Sequence, residues 1–92
     1  MRTLSVILFV VGAAIGASPP AGADEAGYLA RLQPKFAYLE ADQLLAEGYK
    51  VCQYISAGRS SPGAVEMVGR DLEVDVFTAN AIVGAAIVNF DC

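Results

Sequence analysis

The sequence contains no histidine, the side chain that most often acts as a general base near neutral pH. Ser56, Ser60 and Ser61 therefore have no evident base to activate them as nucleophiles. Serine is common in turns and at helix caps, and that interpretation accounts for all three. We predict that the protein is not an enzyme.

Ligands for a metal ion are also scarce. There are two cysteines and no histidine, whereas a structural zinc site takes about four such ligands. The acidic run Asp71, Glu73 and Asp75 lacks the loop glycine and the terminal glutamate of a calcium-binding EF-hand. A glycosidase would need two carboxylates across a sugar cleft, which so short a chain can hardly build beside a core. We therefore expect a solvated acidic face, no metal and no cofactor.

Positive charge is low. Six Lys and Arg side chains stand against ten Asp and Glu, a net charge of −4. Only Arg2 lies before residue 24, so residues 24–92 carry five cations, ten carboxylates and a net charge of −5. Few cations remain to neutralise phosphates. Nucleic acid and anionic membrane surfaces are thus excluded as expected partners.

A long hydrophobic run occurs once, over residues 4–17. At about fourteen residues it is shorter than the roughly 20 needed to span a bilayer. Arg2 precedes it, and Pro19-Pro20 and a small-residue stretch ending at Ala23 follow it, the order of a secretory signal peptide. We predict a signal peptide at 1–23, cleavage after Ala23, and one secreted domain at 24–92 without a membrane span. An uncleaved anchor is the alternative.

The two cysteines, Cys52 and Cys92, are 40 positions apart, and Cys92 is the last residue. Redox-active pairs usually have the Cys-x-x-Cys spacing, and a prenylation signal places its cysteine four residues from the end. Cysteines of exported proteins usually pair, because the compartment is oxidising. We predict a Cys52–Cys92 disulfide, with pairing between two chains as the alternative.

The most regular periodicity lies in the middle of the chain and predicts an amphipathic helix that ends before Gly58. Glycine disfavours helix, so Gly48 on the apolar stripe indicates a close crossing with another helix. The stripe comprises Leu44, Leu45, Gly48, Val51, Cys52 and Ile55, and the polar faces carry Glu40, Asp42, Glu47, Lys50 and Gln53.

Helices are also predicted on both sides of this segment. The first begins at residues 24–25, where carboxylates favour a helix N-terminus, and Pro34 ends or kinks it. A third begins at Ser61, as the N-cap, followed by Pro62. Phe36 and Leu39 are expected to extend the apolar stripe beyond Pro34.

The last segment is apolar all the way round over residues 81–88. Its length and its alanines favour a helix, capped by Asp75 or Thr78 and buried on most sides. The fold class expected from these patterns is all-α, a small bundle of about four short helices closed by one disulfide.

These features together resemble the small secreted mycobacterial family catalogued as "domain of unknown function 732". The resemblance covers nearly all of residues 24–92 and implies export, a short helical domain and two cysteines, without an activity. Two places depart from the pattern: residues 33–36 replace a glycine-containing turn, and Asp91 separates Phe90 from the terminal cysteine. The matching residues are Gly48-x-x-Val51-Cys52-x-x-Ile55-x-x-Gly58, then Ala81-x-x-x-Ala85-Ala86-Ile87 and Cys92.

Binding is therefore the predicted function, through a surface presented to an unknown protein or component of the cell envelope or host. Tyr49, Tyr54 and Arg59, with Tyr38, are the candidate contact residues, since exposed tyrosine and arginine often dominate interfaces. Half-buried aromatics at a helix edge would account for them as well. The alternative function is a carrier of a small apolar or lipid ligand held against the last helix, where a plain core is the competing interpretation.

Overall fold

The computed structural model describes residues 23–92. They form four α-helices and no strand, which confirms the predicted all-α bundle. The helices are joined by short loops, and none of them is long and apolar enough to cross a membrane. In chain order they are α1, Glu25–Leu32; α2, Ala41–Ser56; α3, Ser61–Leu72; and α4, Val76–Phe90.

The helix starts follow the capping residues closely. Asp24 accepts a hydrogen bond from the Gly27 amide at 2.9 Å, and Asp75 accepts one from the Thr78 amide at 2.9 Å. These bonds satisfy amides that have no partner within the helix. The hydrogen bond from Thr78 also lowers the pKa of Asp75. Asp75, of the two candidates, is therefore the cap of α4.

The cap of α3 is one residue earlier than predicted. The hydroxyl of Ser60, and not that of Ser61, accepts a hydrogen bond from the Gly63 amide at 3.2 Å. Ser61 is already the first helical residue, and Pro62 follows inside the first turn. Proline tolerates either place because the first-turn amides lack an intrahelical acceptor.

The end of α2 confirms the role predicted for Gly58, which has a φ of 89°. Its amide donates to the Ile55 carbonyl at 2.9 Å, and the Arg59 amide donates to the Tyr54 carbonyl at 3.3 Å. These are the two hydrogen bonds of a Schellman motif. A left-handed glycine thus turns the chain toward α3.

Helix α4 is the centre of the bundle, since it packs against each of the other three helices. Pro34 lies in the turn after α1, and the loop beyond it is part of the core, as predicted, because Phe36 and Leu39 are both buried. The core brings together apolar residues from every helix and from this loop. Its fully buried large members are Tyr28, Leu32, Leu44, Val51, Val68 and Ile82.

One residue predicted on a polar face is buried. Glu47 is 6% exposed and lies between Leu44 and Val51, both fully buried, on the inward side of α2. The prediction that Glu47 faces solvent is therefore wrong. Because Glu47 falls at the spacing of the apolar stripe, helix geometry carries it inward regardless of its charge.

The predicted signal peptide lies outside the described residues except for Ala23. Its cleavage, the export of the chain and the domain boundary at residue 24 stay predictions.

Candidate functional site

The disulfide joins Cys52 of α2 to Cys92, with their Cα atoms 5.3 Å apart. This confirms the predicted intramolecular pairing, and no cysteine of residues 23–92 is free. Asp91 brings Cys92 into place by taking a positive φ of 58°, so that the Cys92 amide donates to the Ile87 carbonyl at 3.2 Å. The residue between Phe90 and the terminal cysteine is thus the left-handed turn that folds the chain end back toward α2.

An aromatic cluster lies beside the disulfide. The Tyr49 ring stacks on Phe90 with centroids 4.6 Å apart and an interplanar angle of 10°. Tyr28 of α1 packs against the same Phe90 ring, also at 4.6 Å, with a tilt of 33°. These three rings link α1, α2 and the last residue of α4.

Gly48 makes room for this cluster. A Cβ atom at Gly48 would lie 2.6 Å from Cε2 of Phe90 and 2.8 Å from Cζ of Tyr28. The predicted close approach at Gly48 is present, although aromatic side chains, and not the backbone of a crossing helix, occupy the space. The glycine is therefore needed for packing.

Both tyrosines of the cluster have hydrogen-bond acceptors. The buried hydroxyl of Tyr28 donates to the Leu44 carbonyl, and that of Tyr49 donates to the Glu25 carboxylate. Burial and the Glu25 carboxylate raise the pKa of Tyr49 to about 12. Burial, with a smaller effect of the nearby carboxylate of Glu47, raises the pKa of Tyr28 as well. Both phenols stay protonated at neutral pH and act as donors.

An open groove of about 350 Å³ runs along the disulfide. Tyr49, Phe90 and the two cysteines form its apolar part, and polar side chains stand at its edge. This arrangement resembles a small contact site, with apolar surface for affinity and a few polar groups for orientation. The groove is lined by Ala23, Tyr49, Cys52, Gln53, Ser56, Phe90, Asp91 and Cys92.

The other two predicted contact residues lie outside the groove, Tyr54 on α2 and Arg59 in the loop that follows it. The hydroxyl of Tyr54 lies 2.4 Å from the position that a Cβ atom of Gly63 in α3 would occupy. The Arg59 guanidinium carbon lies 5.4 Å from the centre of the Tyr54 ring, within the range of a cation–π contact. The predicted surface is thus divided, with Tyr49 in the groove and Tyr54 with Arg59 against α3. Tyr38, in the loop after α1, is 67% exposed.

A family model described as "Protein of unknown function (DUF732)" matches residues 23–92. The chain belongs to the DUF732 family. No curated protein and no solved structure matches the chain. The match confirms the predicted resemblance and spans both cysteines and all four helices of this DUF732 domain. The family description names no activity, and the mycobacterial origin stays a prediction.

The DUF732 domain also contains a buried carboxylate, that of Glu47, which was not predicted to be buried. The Oε2 atom of Glu47 is buried and has no hydrogen-bond partner within residues 23–92. Burial and the nearby Asp71 carboxylate raise the pKa of Glu47 to about 7, while the charge of Lys50 opposes the shift. The signal was available, since Glu47 follows the buried Leu44 by three residues and precedes the buried Val51 by four.

Lys50 and Asp71 connect α2 and α3 next to this carboxylate. The Lys50 Nζ donates to Asp71 at 2.7 Å. The hydrogen bond from Lys50 lowers the pKa of Asp71 and raises that of Lys50. Lys50 is about half exposed, so this ion pair adds little stability.

The acidic run of the DUF732 domain has three separate local roles. Asp71 pairs with Lys50, Glu73 ends α3 in the left-handed conformation, and Asp75 caps α4. Within residues 23–92 no three His, Cys, Asp or Glu side chains form a group suited to a metal ion.

Proposed function

We propose that this DUF732 domain is a non-catalytic binding module that works outside the cytoplasm and contacts a protein or cell-envelope component through the disulfide groove. The observation that carries the proposal is the stacked Tyr49–Phe90 pair in an open groove beside the disulfide. Tyr49 offers the groove a rigid apolar surface, because its ring is held against the buried Phe90 and therefore loses little side-chain entropy on binding.

The geometry around Tyr49 supports this assignment over a role in the core alone. Tyr49 is only partly buried and its hydroxyl is held by Glu25, so the ring is fixed before a partner arrives. Preorganised side chains lower the entropic cost of binding. The disulfide holds the other wall of the groove by tying Cys92 to α2.

The absence of catalysis is part of the proposal. The phenol of Tyr49 in the groove is already engaged, because it donates to the Glu25 carboxylate. Glu47 has a raised pKa but is buried, and a general base must reach the proton it removes. Turnover that disappears when one carboxylate is changed to its amide would contradict this part.

The alternative function is a lipid carrier, and the packing of α4 favours a ligand at the surface. The inward residues of α4 pack against the other helices, for example Ile82, Ala85 and Ala86, which are at most 1% exposed. An acyl chain would therefore occupy a surface groove instead of the centre of the bundle. Native mass spectrometry of the secreted protein would show a bound lipid as a mass adduct.

The test of the binding function uses the oxidised domain as bait against cell-envelope and culture extracts. Ser56→Arg places a long side chain in the groove at an exposed helix end and should reduce capture of the partner at least tenfold. Ser61→Arg, at an exposed position outside the groove, is the matched control and should leave capture unchanged. Equal capture by wild type and Ser56→Arg would exclude the groove, and capture by neither would exclude the binding function in those extracts.

A further inference from the structure

Helix α4 carries an apolar stripe that faces solvent. Its members are Phe77, Ala81, Gly84 and Val88, and we call them the α4 stripe. They follow one another at i, i+4, i+7 and i+11, so they share one face of the helix over about 16 Å. Phe77 is 70% and Val88 65% exposed, and, apart from the adjacent residues and the helix's own backbone, no atom lies within 4 Å of where a Cβ of Gly84 would be.

A groove of about 430 Å³ adjoins the α4 stripe on the side of α1. Its floor combines part of the stripe with small or apolar neighbours, and its rim carries two cations, Arg31 of α1 and Lys35 of the following turn. Both cations are exposed. The lining residues are Arg31, Leu32, Lys35, Ala81, Gly84, Ala85 and Val88.

The charge at this rim contrasts with that of the molecule. Residues 24–92 carry a net charge of −5, yet two of their five cations line this one groove. Lys50 is paired with Asp71 and Arg59 packs on Tyr54, whereas Arg31 and Lys35 form no ion pair within residues 23–92. An apolar stripe with a cationic rim is complementary to a partner that has an apolar face and an acidic flank.

The shape of the surface favours a helix as that partner. Gly84 with Ala81 and Ala85 leaves a shallow channel along α4. Packed helix axes lie about 8–10 Å apart, at a distance set by the contact side chains, so small residues allow a second helix to approach closely. An apolar small molecule in so open a groove would keep much of its surface in water, whereas typical ligand sites bury about 70–90% of it. We propose that the α4 stripe docks an amphipathic helix of a protein partner, with its apolar face on Ala81, Gly84 and Val88 and its acidic flank on Arg31 and Lys35.

A second copy of this chain fits the same surface poorly. A two-fold contact presents the same patch from both molecules. In an antiparallel pairing about Gly84, the two-fold axis would place Arg31 and Lys35 of both copies on the same edge of the contact. Like charges facing one another disfavour such pairing.

The test uses two synthetic helical peptides and the oxidised domain labelled with nitrogen-15. The first peptide repeats leucine at i, i+4, i+7 and i+11 with glutamate along one flank, and the second replaces each glutamate by lysine. We expect the glutamate peptide to shift the amide signals of Arg31, Gly84 and Val88 saturably. The lysine peptide should bind at least tenfold more weakly.

Three variants assign the contact. Arg31→Glu with Lys35→Glu should weaken binding of the glutamate peptide at least tenfold. Arg59→Glu with Arg70→Glu makes the same change of net charge elsewhere and should alter the Kd less than threefold. Ser56→Arg should leave peptide binding unchanged, which separates this surface from the disulfide groove and lets either proposal fail alone.

Four results would overturn the proposal: no binding of the glutamate peptide, equal binding of both peptides, shifts confined to the disulfide groove, or no loss on reversing Arg31 and Lys35. Sedimentation that shows a dimer dissociated by Val88→Asp would assign the stripe to a second copy instead. Saturable binding of laurate at the stripe without binding of the peptide would assign it to a lipid.

Discussion

Helices α2 and α4 have nearly the same length, 16 and 15 residues, and pack against each other. Neither places all its apolar residues inside and all its polar residues outside, and the exceptions are of opposite kinds. Helix α2 is amphipathic and buries a carboxylate, Glu47. Helix α4 is apolar over most of its length and exposes Phe77 and Val88. A buried charge costs stability, whereas an exposed aromatic contributes little because its ring stays in water.

This difference between α2 and α4 shows which apolar surface of the domain is not used for packing and is therefore free for binding. In α2 the buried positions follow the helical period, and Glu47 is buried because it occupies one of them. In α4 three neighbouring helices cover most of the circumference and leave one side bare. Exposed apolar patches of this kind often mark contact sites, whereas the buried Glu47 makes stability depend on pH.

The largest expected effect comes from separating the two helices at their covalent link. Deleting Cys92 or changing Cys52→Ser removes the disulfide, which joins residues 40 positions apart. Closing a loop of that length contributes about 4 kcal/mol to the free energy of unfolding. A domain of this size has only a few kcal/mol of net stability. Thermal melts should show a loss of about 20 °C or more, and reduced wild-type protein should behave like the variants. Folded monomers melting within a few degrees of the oxidised wild type would contradict this.

Glycine substitutions should distinguish the packed side of α2 from the open side of α4. Gly48→Ala drives a methyl group into Phe90 and Tyr28 and should cost about 1–3 kcal/mol in the free energy of unfolding. Gly84→Ala meets open space and should stabilise the domain by about 0.5–1 kcal/mol. Urea denaturation of the two variants measures both. The comparison fails if the two substitutions change stability in the same direction.

The buried carboxylate of α2 should make stability fall as pH rises. The pKa of Glu47 is raised from 4.5 to about 7 in the folded state, so the folded domain binds this proton more tightly than the unfolded chain. The stabilisation is complete below pH 4.5 and is lost as pH rises through 7. Glu47→Gln should therefore gain stability relative to wild type between pH 5 and 8, on the order of 2 kcal/mol.

Urea denaturation at several pH values checks this, with Glu66→Gln, an exposed residue of α3, as the matched control. A difference between Glu47→Gln and wild type that stays constant from pH 5 to 8 would show that Glu47 does not titrate in this range.

The smallest expected effect lies on the α4 stripe. Phe77→Ser should change the free energy of unfolding by less than about 0.5 kcal/mol, because the ring is 70% exposed and the two residues have similar helix propensities. Ile82→Ala, on the inward side of the same helix and fully buried, should cost about 2–4 kcal/mol. Chemical denaturation compares the two. A loss for Phe77→Ser approaching that of Ile82→Ala would show that the stripe is part of the core.

Local patterns carried much of the prediction. The 3.6-residue period identified α2, the Gly58 stop was recognised from its residue type, and the two cysteines of a chain predicted to be exported indicated the disulfide. The cap of α3 was missed by one residue because Ser60 and Ser61 are both good caps, and only the hydrogen bond to the Gly63 amide distinguishes them. Glu47 was misplaced because its charge outweighed its position on the apolar stripe.

By itself the sequence determined the helices and the family, because both depend on residue type and on short-range spacing along the chain. It indicated the disulfide because the chain has just two cysteines. It could not determine which residues share a surface. Tyr49 and Tyr54 lie close in sequence but contact different helices, Phe90 of α4 and Gly63 of α3. The solvent side of α4 was equally beyond reach, because a helix that is apolar all round has no periodic signal to orient it. Only the packing of α1, α2 and α3 around α4 decided which side was left bare and placed Arg31 and Lys35 at its edge.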